Sequence, residues 1–439
     1  MPELGNEDVN STPDASTGSR REVFAWSMYD WANSAYSTLM ITILMLYLQS
    51  DLFPGDEGVL IYGWGIGLTM FVAAVCSPIF GAIADAHASK RRWLATTALT
   101  GAGASCLMFF ATPDLKWLFV LLFLIANFCF ELSLCFYNGF LPEIADDENI
   151  GHVSAWGYAL GYLGGGLALS IVLAFLLNAD RLGIPSEDGF RFRCCLLFMG
   201  LWWGLFSLPT IFMLHDKQKP TREPQPFNIA ARRAFFEVRH TLQNIKNYRI
   251  LALFLIGFLI YNDGVQTVIS QAGVFASKVL QMDGQELVMV ILMIQFISLP
   301  GALLVGFLAN RFGQKPMLLV CLAIWSVLLV FAFFITEKWQ FWAMAAVAAL
   351  VLGGTQSVSR AIMGLMTPKK HTAEFFGFFN LSGKATSMFG PIFFVSILTA
   401  TGSAHLAIVS LLIFFLVGTA FVLPLNIDRG RQQARNDES

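Results

Sequence analysis

Twelve apolar stretches, each long enough to cross a bilayer as a helix, govern what this chain can fold into. A spanning helix needs about 20 mostly apolar residues. The stretches lie near residues 23–49, 59–85, 92–112, 116–138, 152–178, 191–214, 249–275, 285–309, 316–336, 338–360, 374–400 and 404–426. None alternates with a period of two, which argues against a β-barrel, the other structure that satisfies its own backbone in lipid. Only 13% of the 439 residues are charged, against roughly 25% in water-soluble domains. The fold class is therefore all-α and integral to the membrane, with twelve transmembrane helices. A net charge of −2 argues against nucleic acid as a partner.

Lysine and arginine set the orientation, because they collect in cytoplasmic loops. One side holds 21 of them: Arg20, Arg21, Lys90, Arg91, Arg92, the eight from Lys217 to Arg249, Arg311, Lys315, Arg360, Lys369, Lys370, Arg429, Arg431 and Arg435. The other side holds six, and Lys384 lies inside a span. Both termini are expected in the cytoplasm. Residues 1–21 read as a disordered tail. Arg20-Arg21 before an apolar run resembles a secretory signal, but the run is long and has no small-residue cleavage site, so it reads as the first span. The seven cysteines fall in or beside spans and read as small hydrophobes.

Residues 215–248 divide the spans six and six, giving an N-terminal bundle over 22–214, a C-terminal bundle over 249–427 and a cytoplasmic tail over 428–439. Within the divider, Phe235, Val238, Leu242 and Ile245 recur at helical spacing, with Arg232, Arg233, Arg239 and Lys246 on other faces. This predicts an amphipathic helix at an anionic membrane surface; a plain tether accounts for it equally well. The bundles repeat one another. Gly81-Ala82-Ile83-Ala84-Asp85 before Lys90, Arg91 and Arg92 is answered by Gly306-Phe307-Leu308-Ala309-Asn310-Arg311 before Lys315. Asp85 and Asn310 lie 225 residues apart, Pro142 and Pro368 226, and the intramembrane pair Asp30 and Asp263 233. Parallel six-helix repeats place the solute site at their interface.

At these residues the chain resembles the major facilitator superfamily: Gly81-x-x-x-Asp85 with its basic loop is similar to the gating motif between helices 2 and 3. Gly157-x-x-x-Gly161-Tyr162-x-x-Gly165-Gly166 resembles the antiporter motif of helix 5, with Tyr162 in place of proline. Tyr29-Asp30-Trp31-Ala32-Asn33-Ser34, Tyr137 to Glu143, Gly353-Gly354-Thr355-Gln356, Glu374-Phe375-Phe376-Gly377, Ser382-Gly383-Lys384 and Gly390-Pro391 resemble the autophagy-related vacuolar effluxer-like family. The resemblance implies two six-helix bundles working by alternating access on a small-molecule substrate, with amino acids as the solute class. The chain is expected to act as a monomer in the bacterial cell membrane, or in the vacuolar membrane if it is eukaryotic. Ala86 stands where the motif usually has a basic residue, and Asn310 where its second copy would have Asp, so a charge latch is expected to be weaker in the second half.

Charged groups at membrane depth cost a few kcal/mol and mark sites. Four stand out: Asp30, Glu131, Asp263 and Lys384. In the resembling fold their helices line one cavity, and three acids facing one base leave an excess carboxylate. Desolvation favours the neutral form of such a group, which would let it carry a proton. Asp30 and Asp263, with the amides Asn33 and Gln266, are the leading candidates for solute or proton; bonds that merely pin helices are the alternative. Glu131 reads equally as a proton carrier or as a structural bond. Lys384 reads as a ligand for a substrate carboxylate or as a counter-ion for Asp30 or Glu131. Gln295, Asn127, Asn380 and Gln356 are weaker candidates. Asp85 with Lys90, Arg91 and Arg92 reads as a cytoplasmic latch. The span 5 glycines allow close helix approach, for antiport or for packing. No phosphate loop, catalytic set or metal-ligand spacing occurs, so no cofactor and no enzyme activity are expected. Export of amphipathic drug-like compounds, with some of the 41 phenylalanines lining the cavity, is the alternative within transport, and a transporter-like sensor that no longer transports is the competing class.

Overall fold

The computed structural model describes residues 18–223, 225–384 and 389–436. Its twelve spanning helices are Arg20–Leu52, Asp56–Ala86, Lys90–Phe110, Pro113–Ile144, Ile150–Asn178, Glu187–Met213, Lys246–Leu280, Gly284–Phe312, Gln314–Ala332, Lys338–Met366, Lys369–Thr401 and Ala404–Val422, called spans 1 to 12 below. No strand occurs among the described residues. Span 11 is described as Thr372–Lys384 and Phe389–Thr401.

Local chemistry sets several boundaries. Ser19 accepts from the Glu22 N–H while the Glu22 carboxylate accepts from the Ser19 N–H, a reciprocal cap that starts span 1. Asp283 and Glu286 repeat the device at span 8. Gly313, at φ 99°, turns the chain from span 8 into span 9. Span 1 widens into π-helical turns at Met40–Leu44 and Leu48–Leu52, past the stretch from Asp30 to Thr38. One apolar cluster between Tyr248 and Leu425 fills the second half. Two others fill the first, around Tyr36, Phe123 and Trp203 and around Trp26, Phe136 and Leu141.

Spans 2 and 11, one from each half, cross at close range near the end that carries both termini. A Cβ on Gly81 would lie 2.3 Å from the Ala373 carbonyl oxygen, and one on Gly377 would lie 2.5 Å from the Pro78 nitrogen.

Two expectations change. The divider forms a helix, Phe227–Gln243, but its buried stripe is Ala230, Ala234 and Val238, against Ala82 and Ile83 of span 2 and Phe378 of span 11. Small alanines permit that approach, whereas Phe235 is 53% exposed; the side chains of Leu242 and Ile245 lie outside the description. The helix therefore rests on both halves, and Thr241 Oγ1 donates to Glu374 Oε1 at 2.8 Å. The segment read as a tail from 428 forms the helix Ile427–Asn436, with Gly430 against Met366 and Ile250. Its Arg431 and Arg435 both pair with Asp147 of the first half. Residues 1–17 and 437–439 of the expected tails lie outside the described residues.

Candidate functional site

A cavity of about 280 Å³ lies between the halves. Span 1 contributes Asp30, Asn33, Ser34, Ser37 and Thr38, and span 7 contributes Phe258, Asn262 and Gln266. These positions recur every three or four residues, the spacing of one helix face. Gln295 of span 8, Gln356 and Arg360 of span 10, and Asn380 and Lys384 of span 11 add to the polar wall, with Asn138, Tyr158 and Tyr162; Phe130, Leu134 and Phe379 are apolar patches in it. Gln295 Nε2 donates to Thr38 Oγ1 at 2.5 Å, and Tyr162 donates to Gln356 Oε1 at 2.6 Å. Both bonds cross between halves. Among the described residues, Asn33 Nδ2 and Asn380 Nδ2 have no protein acceptor, which leaves two amide donors in the wall.

Asp30 does not face Lys384. Its partner is Arg360, whose Nη1 donates to Asp30 Oδ2 at 3.0 Å, while the Tyr137 hydroxyl donates to the same oxygen at 2.7 Å. Arg360 also donates to Ser154 Oγ at 3.0 Å, to the Ser154 carbonyl at 2.7 Å and to Asn138 Oδ1 at 3.3 Å. Its guanidinium lies over the rings of Tyr158, Trp26 and Tyr137 at 4.0, 4.7 and 5.6 Å. Counting Arg360 with the loops is thus corrected: span 10 runs to Met366, and the side chain is 2% exposed. The signal was present in the sequence, because apolar residues continue from Ala361 almost to the Pro368 stop, about two helical turns beyond Arg360.

The span 5 glycines explain how this pair is housed. A Cβ at Gly157 would lie 2.6 Å from Arg360 Nη2 and 2.7 Å from Asp30 Oδ2. Added atoms at Gly161 and Gly165 would meet Ser34 Oγ and Thr38 Oγ1 at 2.9 and 2.6 Å, and one at Gly166 would meet Gln295 Cβ at 3.2 Å. The run of glycines clears space for the polar face of span 1 and for span 8.

Lys384 pairs with Glu131 at 3.2 Å; Lys384 lines the cavity and Glu131 stands behind it. Asp263 is not in the cavity wall. It is 2% exposed, and its Oδ2 accepts from the Gly390 N–H at 3.1 Å. The expected equivalence of Asp30 and Asp263 therefore fails. Matching the cavity faces, Ser34 with Asn262 and Thr38 with Gln266, gives a step of 228, near the 225 and 226 of the other repeats. The step of 233 is five residues longer, which turns Asp263 about 140° away around the helix. Asn127 is also outside the cavity: its Nδ2 donates to Thr69 Oγ1 at 2.6 Å, joining spans 2 and 4.

At the terminal end, Asp85 caps span 11 of the opposite half. Its oxygens accept from the N–H groups of Ala373 and Glu374 at 3.1 and 2.9 Å, where the helix dipole favours negative charge. Lys90 lies 3.7 Å from Asp85, pairs with Glu143 and donates to Thr372 Oγ1 at 2.8 Å. Among the described residues, Arg91 and Arg92 join no such pair; the Lys90 and Arg91 N–H groups are capped by Asp216 at 2.8 and 3.4 Å. In the second copy, exposed Asn310 accepts from Gln314 at 3.2 Å, and Arg311 lies over the Phe312 ring. The sites still correspond, since a Cβ on Gly151, at the start of span 5, would lie 2.5 Å from Asn310 Oδ1.

Comparisons with known proteins agree with this architecture. The fold is similar to the human organic anion transporter MFSD10, with a TM-score of 0.72 at 14% identity over 94% of this chain and 100% of that one. It is also similar to the proton:xylose symporter XylE, with a TM-score of 0.66 at 11% identity over 91% and 93%. In sequence the chain is 31% identical over 423 residues to the uncharacterized MFS-type transporter YxiO of Bacillus subtilis, covering 94% of this chain and 97% of the relative. It is 25% identical over 376 residues to autophagy-related protein 22 of Kluyveromyces lactis, covering 79% and 75%. The family model described as vacuole effluxer Atg22 like matches residues 57–435. On that match and that identity, the chain belongs to the Atg22-like effluxer family of major facilitator transporters.

Proposed function

We propose that this transporter exports small polar solutes, amino acids foremost, with protons as the coupling ion, and works as a monomer. The observation that carries this reading is the cavity itself, where amides from both halves stand beside a buried ion pair, Asp30–Arg360, and a half-buried one, Lys384–Glu131. A zwitterion needs both signs of charge and uncommitted amide donors, and such a wall offers them. In this reading the bundles 22–214 and 249–427 rock about the cavity. The close contacts of span 2 with span 11, at Pro78, Gly81 and Asp85, lie in the terminal half of both helices, which supports a conformation closed at that end. The terminal end is the cytoplasmic one by the positive-inside rule; moving Arg360 out of the loops leaves the imbalance of basic residues intact. The membrane is the bacterial cell membrane, or the vacuolar membrane in a eukaryote.

A second reading, efflux of amphipathic compounds, is favoured by Phe130, Phe258, Phe379 and Leu134 in the same wall. Counterflow in proteoliposomes with a mixed amino-acid panel at two internal pH values separates the two. Exchange of at least one panel member, driven uphill by a pH gradient, is expected. Exchange of none, with an amphipathic cation or anion exchanging instead, would transfer the function to the second reading. Exchange indifferent to the pH gradient would remove proton coupling.

A further inference from the structure

Span 7 carries a second polar site, separate from the solute cavity. Asp263 is 2% exposed and Thr267, one turn on, is 0% exposed. Among the described residues, Asp263 Oδ1 and Thr267 Oγ1 both lack a hydrogen-bond partner. Opposite them on span 11 stands Gly390, where a Cβ would lie 1.8 Å from Thr267 Oγ1 and 3.1 Å from Asp263 Oδ1. Only a residue without a side chain lets the two helices close over both oxygens.

Among the described residues, no cation pairs with this carboxyl group. Around it, Lys384 is paired with Glu131, Arg360 with Asp30, and Lys338 with Glu286 at 2.7 Å. Arg431 and Arg435 are paired with Asp147 at the terminal end. Span 12 meets span 7 through Phe414 and Phe415 at Gly264, and its one titratable group, His405, bonds to the Ile335 carbonyl. The Tyr261 hydroxyl is taken by Ser359. Residues 385–388 (Ala, Thr, Ser, Met) bring no ionisable side chain. An isolated carboxylate in an apolar setting carries a large solvation cost unless a cation or a proton cancels its charge.

We propose that Asp263, with Thr267, is the binding site of the coupling proton and stands behind the solute cavity rather than in it. This deepens the transport reading above and rests on it. The proton adds to a carboxylate oxygen and the carboxyl becomes neutral, with the unpartnered Thr267 hydroxyl one turn on along the same helix. The site shares its helices with the cavity: Asn262 and Gln266 flank Asp263 on span 7, and the Asn262 Nδ2 donates to the Gly383 carbonyl at 3.0 Å, next to Lys384. Protonation therefore changes charge at the span 7–span 11 contact from which the cavity wall is built.

The test needs no substrate, so its failure is separable from failure of the solute assignment. The full-length protein in lipid nanodiscs is titrated with acid and followed by infrared difference spectroscopy. A protonated-carboxyl C=O band is expected that titrates in wild type and in Asp30→Asn and is absent in Asp263→Asn. Thr267→Val, which keeps the carboxyl group, should shift the midpoint of that band. An unchanged band in Asp263→Asn would overturn the proposal, as would a Thr267→Val midpoint equal to wild type. A midpoint that moves with sodium chloride but not with choline chloride would overturn it in favour of a sodium site.

Discussion

Arg360 and Asp30 sit on opposite halves, so the coupling between them measures how firmly the halves are joined at the cavity floor. Replacing Arg360 with Met removes the cation, its four hydrogen bonds and its contacts with three rings. Asp30 is then left with the Tyr137 hydroxyl. Removing one member of a buried pair costs about 3–5 kcal/mol. Replacing Asp30 with Asn is milder, because an acceptor remains for Tyr137, and Arg360 retains the Ser154 carbonyl and the Tyr158 and Trp26 faces. With cation–π contacts worth about 0.5–2 kcal/mol each, the expected loss is about 2–3 kcal/mol. The double variant has neither buried charge, so it should be no less stable than Arg360→Met alone, a coupling of about 2–3 kcal/mol. Reversible unfolding in mixed micelles, followed by far-UV circular dichroism, gives all four corners of the cycle. Losses that add to within about 0.5 kcal/mol would refute the pair as an inter-half tie.

Two further outcomes follow from the terminal end. Gly81→Ala places a methyl 2.3 Å from the Ala373 carbonyl, so spans 2 and 11 must part, at a cost of about 1–3 kcal/mol. Buried Cys135, whose Sγ donates to that carbonyl at 3.0 Å, should then react faster with a thiol reagent; an unchanged rate would show the crossing is not tight. Burial pushes the Asp216 carboxyl up from its ordinary value, with Lys90 opposing. The protonated form is therefore the one the fold favours. Its stabilising share is complete below the ordinary carboxylate range and is lost as pH rises through the folded value. Asp216→Asn keeps the cap on Lys90 and should gain stability relative to wild type as pH rises from about 4, read by thermal melts at a series of pH values. A difference independent of pH would contradict this.

The twelve spans were legible because hydrophobic length is a strong one-dimensional signal. Asp85 beside Lys90 was legible as a polar group at a basic loop, but not that its oxygens cap span 11 of the opposite half, nor that Arg91 and Arg92 would stand outside the pair. The cavity partners were not legible. The lengths of apolar runs cannot tell a basic residue at the end of a span from one two turns inside it, and on that point Arg360 was misplaced. The Asp30–Asp263 match failed because type and rough spacing recur more readily than helical phase, and 100° per residue turns a five-residue error into a different face. The glycines of span 5 were visible, but what they make room for, Arg360 and the polar face of span 1, depends on packing between segments far apart in the chain. The divider helix was found with its stripe partly right: Val238 packs inward as expected while Phe235 is exposed, because small alanines that pack on protein carry a weaker signal than a phenylalanine.

The central claim is that Gln266 and Asn33 line a solute path closed at the terminal end by the Asp85 cap on span 11. Side-specific labelling of Gln266→Cys tests it most directly, in a background with the native cysteines replaced and with vesicles of known orientation. A membrane-impermeant thiol reagent should label the cysteine from the face opposite the termini and not from the terminal face, and adding Asp85→Asn should open the terminal route. Labelling from the terminal face with Asp85 intact, or from neither face in any variant, would contradict the account.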